Sequence, residues 1–359
     1  MTEMGFFNDE ELASISIARM NFQVVGEEAF QPRPAMASVE QSDFFLGRIR
    51  EIDASSAFAF NADSETKSVI ESMALGRTRF ANGAASLALK FDSYHVGQSK
   101  AGAFFVFELR CYSPATKIYV FLKYDYSEVV TLRGRTAGEQ LRRVMHAFVK
   151  DKKALQKSAL IRVVNGCVET DFSATDRGAV SPGITDFFTR FLGAVRQRDD
   201  VELNAAANLA IHDIVKDIPE NVWGAAPRVI FARLRESLRT AVSICDDAVV
   251  DAVMVAAGRP ADPDTVAMLR NSAIKALKKR KIFGLTFPPS DSVFRSAAKR
   301  KIRTVENIKI EYPDDLDGVK VDVEKNQENG TAVITIRTQR IEVDEVVNES
   351  IGNIRKLAT

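Results

Sequence analysis

The chain contains few of the residues that usually indicate a metal site, a disulfide framework or a catalytic centre. Among its 359 residues are only three cysteines and three histidines. The cysteines Cys111, Cys167 and Cys245 form no CxxC pair, so neither a zinc ribbon nor a disulfide framework is expected. Each cysteine lies in or beside an apolar stretch, which predicts a free and buried thiol.

The motifs through which common enzymes bind nucleotides or activate a nucleophile are also missing. The sequence has no P-loop, no GxGxxG, no HExxH and no GxSxG serine. We therefore expect no catalysis, no cofactor and no bound metal. One enzymatic alternative stays open, because Asp322 and Glu324 beside Lys325 resemble the carboxylate and lysine set of a Mg²⁺-dependent nuclease.

Long apolar runs are absent as well. No stretch of eighteen or more apolar residues occurs, so no transmembrane helix is expected. The acidic start at residues 1–4 lacks the basic and apolar regions of a signal peptide. Hydrophobic residues make up 46% of the chain, enough for a packed interior. These features predict a cytoplasmic protein in a reducing compartment.

The spacing of apolar residues predicts an α+β fold with an N-terminal antiparallel sheet, a helical middle region and a small C-terminal antiparallel β unit. Aromatic and β-branched runs at 103–111 and 117–124 flank a short polar turn and predict a hairpin. Further strands are predicted at 14–17, 22–25, 159–164 and 168–172, and helices between 42 and 75, at 84–94 and at 137–157.

Helical spacing then continues from 184 to 280, where Asp262 before Pro263 indicates a helix start. Strands are predicted at 305–312, 319–323 and 331–337, with a turn at Asn329-Gly330 and a terminal helix at 344–357. The predicted domains are 1–178, 179–290 and 291–359.

The near-neutral net charge of +1 conceals strongly charged blocks. Residues 133–162 contain nine Lys/Arg and two Asp/Glu, and residues 271–303 contain ten Lys/Arg and one Asp. Residues 304–345 reverse this balance, with five Lys/Arg and eleven Asp/Glu. The two basic blocks indicate an anionic partner, whereas the acidic tail could instead fold onto the second block as a structural or autoinhibitory contact.

The predicted helix at 137–157 places five side chains on one stripe, with apolar residues on its other side. These are Arg143, His146, Lys150, Lys153 and Lys157. Arg142 lies at the margin of the stripe, and Arg133 and Arg135 extend it from a preceding loop. Like charges at this spacing oppose helix formation, which favours a polyanion-binding surface over a plain solvated face.

The second block supplies further candidate nucleic-acid ligands. These are Lys275, Lys278, Lys279, Lys281, Arg295, Lys299, Arg300 and Arg303. Cations in a last helical turn also complement the helix dipole, so part of the cluster has an explanation without any partner. Neither block has interleaved aromatics or a known base-reading motif, which favours contact with phosphates over readout of bases.

The stretch Asp186-Phe-Phe-Thr-Arg-Phe-Leu-Gly-Ala194, between the strand at 102–107 and the strand at 302–310, resembles the bacterial nucleoid-associated protein NdpA family. The resemblance implies binding of double-stranded nucleic acid with little sequence preference, association with the nucleoid, and neither catalysis nor a cofactor. By spacing alone, the apolar residues of this stretch are the core face of a helix. The chain departs from the family at residues 174–179, which are less basic than expected.

Together these features predict a non-catalytic protein that binds double-stranded DNA largely independently of sequence. RNA is a second candidate ligand, a homodimer stays open, and no contact with a membrane is expected. The alternative function is a protein–protein interaction module that regulates a DNA-processing or defence complex.

Overall fold

The computed structural model describes residues 5–26, 30, 32, 39, 41–94, 101–125, 154–295, 299–313, 321–325, 331–338, 340 and 341. The chain forms two compact units, Met1–Arg295 and Ser296–Thr359. It is an α+β protein, as the apolar spacing predicts.

The first unit is built on one antiparallel sheet. Its strands are β1 (Ser16–Val25), β2 (Phe58–Phe60), β3 (Gly102–Arg110), β4 (Thr116–Asp125), β5 (Leu155–Val164), β6 (Cys167–Val168), β7 (Asp171–Asp176) and β8 (Ala194–Arg196). The strand order is β1-β3-β4-β5-β7-β2-β8, and β6 pairs with β5. The predicted β3–β4 hairpin is confirmed, whereas the two strands predicted between 14 and 25 are the single strand β1.

Helices cover the sheet and form the region after it. They are α1 (Asp9–Ser14), α2 (Ser42–Glu51), α3 (Glu65–Ala74), α4 (Phe80–Tyr94), α5 (Asp186–Leu192), α6 (Asp200–Asp217), α7 (Glu220–Trp223), α8 (Pro227–Arg239), α9 (Asp246–Ala256), α10 (Pro263–Lys279) and α11 (Asp291–Arg295). The predicted start of α10 is confirmed, because the Asp262 side chain accepts from Thr265 N. No helix within the described ranges has the length and apolar character needed to cross a membrane.

Both faces of the sheet are buried along β3, β4 and β5, because alternate side chains of these strands enter different cores. Phe104 and Val106 of β3 point into the core formed with α3, α4 and α5. Phe105 and Phe107, from the same strand, point into a second core with Phe45 of α2. This double burial explains why β3 is a continuous apolar run rather than an alternating one.

The first core continues without interruption into the helical region. It includes Phe91 from α4 and Phe121 from β4, as well as Leu203, Leu234 and Leu269 from α6, α8 and α10. The predicted regions 1–178 and 179–290 therefore belong to one compact unit. Sequence periodicity did not reveal this, because a shared core depends on contacts between residues far apart in the chain.

The cysteines differ from their prediction. All three are free, but Cys167 is exposed in the short strand β6, and Cys111 and Cys245 are only half-buried. The prediction of buried thiols is therefore wrong. Strand β6 follows a tight turn in which Asn165 and Gly166 both have positive φ. Among the described strands it pairs with β5 alone, so Cys167 lies at the surface.

The second unit contains two antiparallel hairpins. The first joins β9 (Lys299–Arg303) to β10 (Lys309–Pro313), and the second joins β11 (Val321–Lys325) to β12 (Ala332–Ile336). The predicted C-terminal β unit is thus confirmed. The predicted turn at Asn329-Gly330 and the predicted terminal helix at 344–357 lie outside the described residues.

Candidate nucleic-acid interface

Most of the predicted basic helix lies outside the described residues. This applies to Arg133, Arg135, Arg142, Arg143, His146, Lys150 and Lys153. Lys157 was predicted to end this helix, but β5 begins at Leu155, so Lys157 belongs to a strand. Lys157 is only 6% exposed, and the prediction that it faces an anionic partner is therefore wrong.

Lys157 serves an internal ion pair instead. It lies opposite Asp176 in the β5–β7 pair, and its Nζ is 2.5 Å from Asp176 Oδ1. The same carboxylate accepts from Gly178 N at 2.8 Å, and from Thr185 N and Oγ1 at 2.9 and 2.6 Å. Burial lowers the pKa of Lys157, and the hydrogen bond to Asp176 opposes that shift. The pair ties the turn between β7 and α5 to the sheet.

On α10, predicted cations are engaged by acids of the adjacent helix α6. Lys275 Nζ lies 3.0 Å from Asp217 Oδ1, and Lys279 Nζ lies 2.8 Å from Asp213 Oδ1. The hydrogen bond from Lys275 lowers the pKa of Asp217. For Asp213, burial raises the pKa, but hydrogen bonds from Arg280 and Lys279 outweigh it and the net shift is downward. These contacts join two helices. The positive charge available to an anionic partner is therefore smaller than the number of Lys and Arg residues in this block suggests.

Two other predicted cations near the end of α10 differ in their surroundings. Lys278 Nζ lies 4.9 Å from the ring centre of Phe283, a cation–π contact. Lys281 is exposed and has a left-handed backbone with φ 55°. It has no acidic partner in the described part of the chain. Lys281 is therefore the better placed of the two to meet an anion.

The last predicted cations lie at the end of the first unit and in the β9–β10 ribbon of the second unit. Arg295 ends α11, whereas Lys299, Arg300 and Arg303 belong to β9. The strand predicted at 305–312 is wrong in its start, because β9 already begins in the basic block and the chain turns at residues 304–308. Charged residues are tolerated here because a two-stranded ribbon is formed entirely of edge strands.

One face of the ribbon is basic. Residues opposite each other in an antiparallel pair project to the same side, and side chains alternate along each strand. Lys301 pairs with Glu311, and Arg303 pairs with Lys309, so these four residues share a face. Lys301 Nζ lies 3.3 Å from Glu311 Oε2, whereas Arg303 and Lys309 are exposed with no acidic partner among the described residues. Sequence reasoning missed Lys309, because the strand pairing that places it beside Arg303 is not visible in a local charge count.

The other face of the ribbon is more apolar. It carries Arg300, Ile302, Ile310 and Tyr312, and Tyr312 is buried. The ribbon thus has one basic face and one more apolar face, and the basic face is the more exposed of the two.

The ribbon ends in an ordered turn with exposed apolar side chains. Thr304 N donates to Ile308 O and Asn307 N donates to Thr304 O, both at 3.0 Å. Asn307 adopts φ 70°, a left-handed conformation that asparagine tolerates. Val305 is 98% exposed and Ile308 is 55% exposed.

The acidic residues considered for a nuclease lie in the second hairpin. Asp322 Oδ2 is 2.5 Å from Arg337 Nη1, and Glu324 is exposed on β11. Within the described ranges, no group of three or more His, Cys, Asp or Glu side chains is arranged to hold a metal ion. Asp322 is therefore engaged in an ion pair with Arg337.

Two open clefts on the first unit have volumes of about 510 and 710 Å³. In the larger one, Arg162 Nη2 lies 2.7 Å from Glu11 Oε2. Arg198 donates to the carbonyl oxygens of Arg280 and Lys281 at 3.3 and 3.0 Å. Both guanidinium groups therefore make contacts within the protein. Lys281 is the cation lining this cleft that stays available to an external anion.

Asp246, at the start of α9, is a carboxyl group whose ionisation is disfavoured. Both of its oxygens lie 3.0 Å from Gly284 N. Burial raises the pKa of Asp246 to about 6, and the negative charges of Asp247 and Asp53 add to the shift. Because the folded-state pKa lies above the unfolded one, the stabilising contribution is present at low pH and is lost as the pH rises through about 6.

Asp246→Asn should remove this pH dependence. The amide oxygen still accepts from Gly284 N, but it carries no charge to desolvate. Between pH 4 and pH 8 the free energy of unfolding of wild type should fall by about 2 kcal/mol relative to that of Asp246→Asn. Urea unfolding at both pH values measures this, with Asp264→Asn, an exposed acid at the start of α10, as the control. A difference between Asp246→Asn and wild type that is independent of pH would contradict the assignment.

The stretch that resembles the NdpA family is part of the core. Phe188, Phe191 and Leu192 are buried in α5. Gly193 ends the helix with φ 63°, and a Cβ at this position would lie 2.8 Å from the Ser64 side chain. The motif is therefore explained by packing and helix termination. Comparison of the sequence with protein-family models and with curated proteins finds no match.

Proposed function

We propose that this chain binds double-stranded DNA with little dependence on sequence and performs no chemistry on it. The observation that carries the proposal is the exposed basic face of the β9–β10 ribbon, which Lys301, Arg303 and Lys309 share with one acid among the described residues, Glu311. Cations arranged in this way attract a polyanion and release its condensed counterions.

The ribbon has suitable dimensions for a duplex. Two-stranded β-ribbons bind duplex DNA in the major or the minor groove, and neighbouring strands are about 4.8 Å apart. Two residues along β9, from Lys301 to Arg303, span about 6.6 Å, so both cations can meet phosphates of one strand. Lys275 and Lys279 of α10 are engaged by acids of α6, whereas Arg303 and Lys309 of the ribbon have no acidic partner among the described residues.

Two further considerations support the proposal. The NdpA resemblance implies nucleoid association, and we accordingly place the protein in the cytoplasm on nucleoid DNA. The segment that contains Arg142, Arg143, Lys150 and Lys153 is a second candidate surface, with Arg133 and Arg135 before it. A protein with two basic surfaces would hold DNA more tightly than one surface alone.

The test of this proposal is a salt-titrated gel shift with the full chain, using duplex DNA of two unrelated sequences, single-stranded DNA and RNA. We expect similar affinity for both duplexes and a steep linear fall of log K with log salt concentration. A preference for RNA would redirect the proposal to that ligand. Absence of any salt-sensitive shift would contradict it and would favour a protein partner.

The triple change Lys301→Glu, Arg303→Glu and Lys309→Glu should weaken binding to any duplex by about 30-fold or more at ~0.1 M salt, with the salt slope reduced by about 0.9 for each phosphate contact removed. The matched control changes three exposed arginines of the first unit, Arg77, Arg233 and Arg270, to Glu. It alters net charge equally. Equal weakening by both triple variants would show a general charge effect and reject the ribbon as the contact surface.

A further inference from the structure

The turn of the β9–β10 ribbon exposes apolar side chains where a surface loop would normally be polar. Val305 is 98% exposed and Ile308 is 55% exposed, directly beyond the basic pair Arg303 and Lys309. The turn is held by two backbone hydrogen bonds, and Ile308 N also donates to Thr304 Oγ1 at 3.3 Å. The apolar side chains are thus presented by an ordered structure.

An exposed valine at the tip of a basic hairpin suits a particular contact with DNA. Proteins that bend duplexes insert apolar side chains between base steps in the minor groove, while cations beside them hold the phosphates. The unstacked step removes the apolar group from water, and the charged strands supply the attraction. This ribbon has the same arrangement, with cations along its strands and apolar side chains at its turn.

The composition of the turn also limits what it can enter. Glu306 and Asn307 lie beside Val305 and are exposed, so only one or two apolar side chains can be inserted without burying a charge. This depth fits a wedge at a base step. Entry into a bilayer would require a larger apolar surface, because stable membrane binding needs more than one small apolar group.

We propose that Val305, assisted by Ile308, is a wedge that inserts into the minor groove and bends the duplex. This inference rests on the proposed DNA binding and extends it from phosphate contact to deformation of the DNA. The partner is therefore any double-stranded DNA, with a preference for steps that unstack easily, such as pyrimidine–purine steps.

The experiment compares wild type with Val305→Ser/Ile308→Ser in two assays on the full chain. The first is the gel shift, and the second is ligase-mediated circularisation of a duplex of about 100 base pairs, which is shorter than the ~150 base-pair persistence length. Wild type should accelerate circularisation by roughly tenfold. The double variant should bind duplex within about threefold of wild type and lose the acceleration. Val333→Ser, at a valine of β12 that is 60% exposed, is the control and should behave as wild type.

The outcomes separate the two proposals. Tight binding by wild type without accelerated circularisation, or acceleration that survives in the double variant, overturns the wedge and leaves DNA binding intact. No binding of wild type to DNA overturns both. Sedimentation with vesicles containing phosphatidylserine is run in parallel, and vesicle binding that depends on Val305 without any DNA bending would assign the turn to a membrane surface instead.

Discussion

Asp176→Ala should destabilise the first unit by about 3–5 kcal/mol. The substitution leaves the Lys157 ammonium group buried without its counterion, and burial already lowers the pKa of this lysine. It also removes the acceptor for Gly178 N and for Thr185 N and Oγ1. Three donors and one charge lose their partner at once, which is why the expected effect is large.

Urea unfolding followed by circular dichroism measures this loss, with Lys157→Met as the comparison. Methionine keeps most of the buried volume beside Phe187, and Asp176 retains its three other hydrogen bonds. We expect Lys157→Met to destabilise by about 1–3 kcal/mol. If Lys157→Met proved as harmful as Asp176→Ala, the ion pair alone would account for the effect, and the hydrogen bonds to the turn would contribute nothing.

This pair also decides how charge-reversal experiments on the predicted basic helix should be designed. A glutamate at position 157 would bury a second carboxylate beside Asp176, so loss of DNA binding would report on folding and not on the interface.

Phe191→Ala is expected to destabilise the protein by about 3–5 kcal/mol. Phe191 is fully buried, and its ring lies 5.1 Å from that of Phe91 and 5.7 Å from that of Phe104. It therefore fills the centre of the core between α4, α5 and the sheet. Its removal leaves a cavity that neighbouring rings, fixed on a helix and a strand, cannot close.

The matched comparison is Phe187→Ala, one helical turn earlier in α5, where the ring is only partly buried. We expect about half the loss there, because less apolar surface is removed from water on folding. Both values come from the urea concentration dependence of unfolding. Equal losses at the two positions would show that the core adjusts to the cavity at Phe191.

The parts of the fold that depend on local pattern were predictable. The β3–β4 hairpin follows from two aromatic and β-branched runs around a polar turn, and α10 follows from Asp262 and Pro263. The apolar face of α5 was likewise read correctly from its spacing. Each of these signals lies within about twenty residues of sequence.

The features that sequence could not supply depend on distant partners. Lys275 and Asp217 are 58 positions apart, so a count of charge within one segment could not show that they form an ion pair. Lys157 continued a helical pattern of cations, yet the β5 register places it opposite Asp176. In both cases a contact with a residue elsewhere in the chain decides what the cation binds.

The candidate site was predicted only in part for the same reason. Arg300 and Arg303 were identified from composition, but Lys309 joins Arg303 on one face only through strand pairing. The run Lys299-Arg-Lys-Ile-Arg303 did not read as a strand, because charged residues are depleted in most strands and occur at edges. The role of the exposed Val305 could not be predicted from the sequence, because single apolar residues are common on protein surfaces.

The double burial of β3 has a consequence for the chain before it is folded. Eight consecutive residues of this strand are buried, so the unfolded chain exposes a segment suited to stacking with copies of itself. Glu108 is the charged residue within that run, and the native sheet satisfies it through the Tyr119 hydroxyl at 2.8 Å. In a fibril, identical glutamates would recur about every 4.8 Å and repel one another. Glu108 thus accepts a hydrogen bond in the native sheet and also opposes amyloid-like self-association of the unfolded chain.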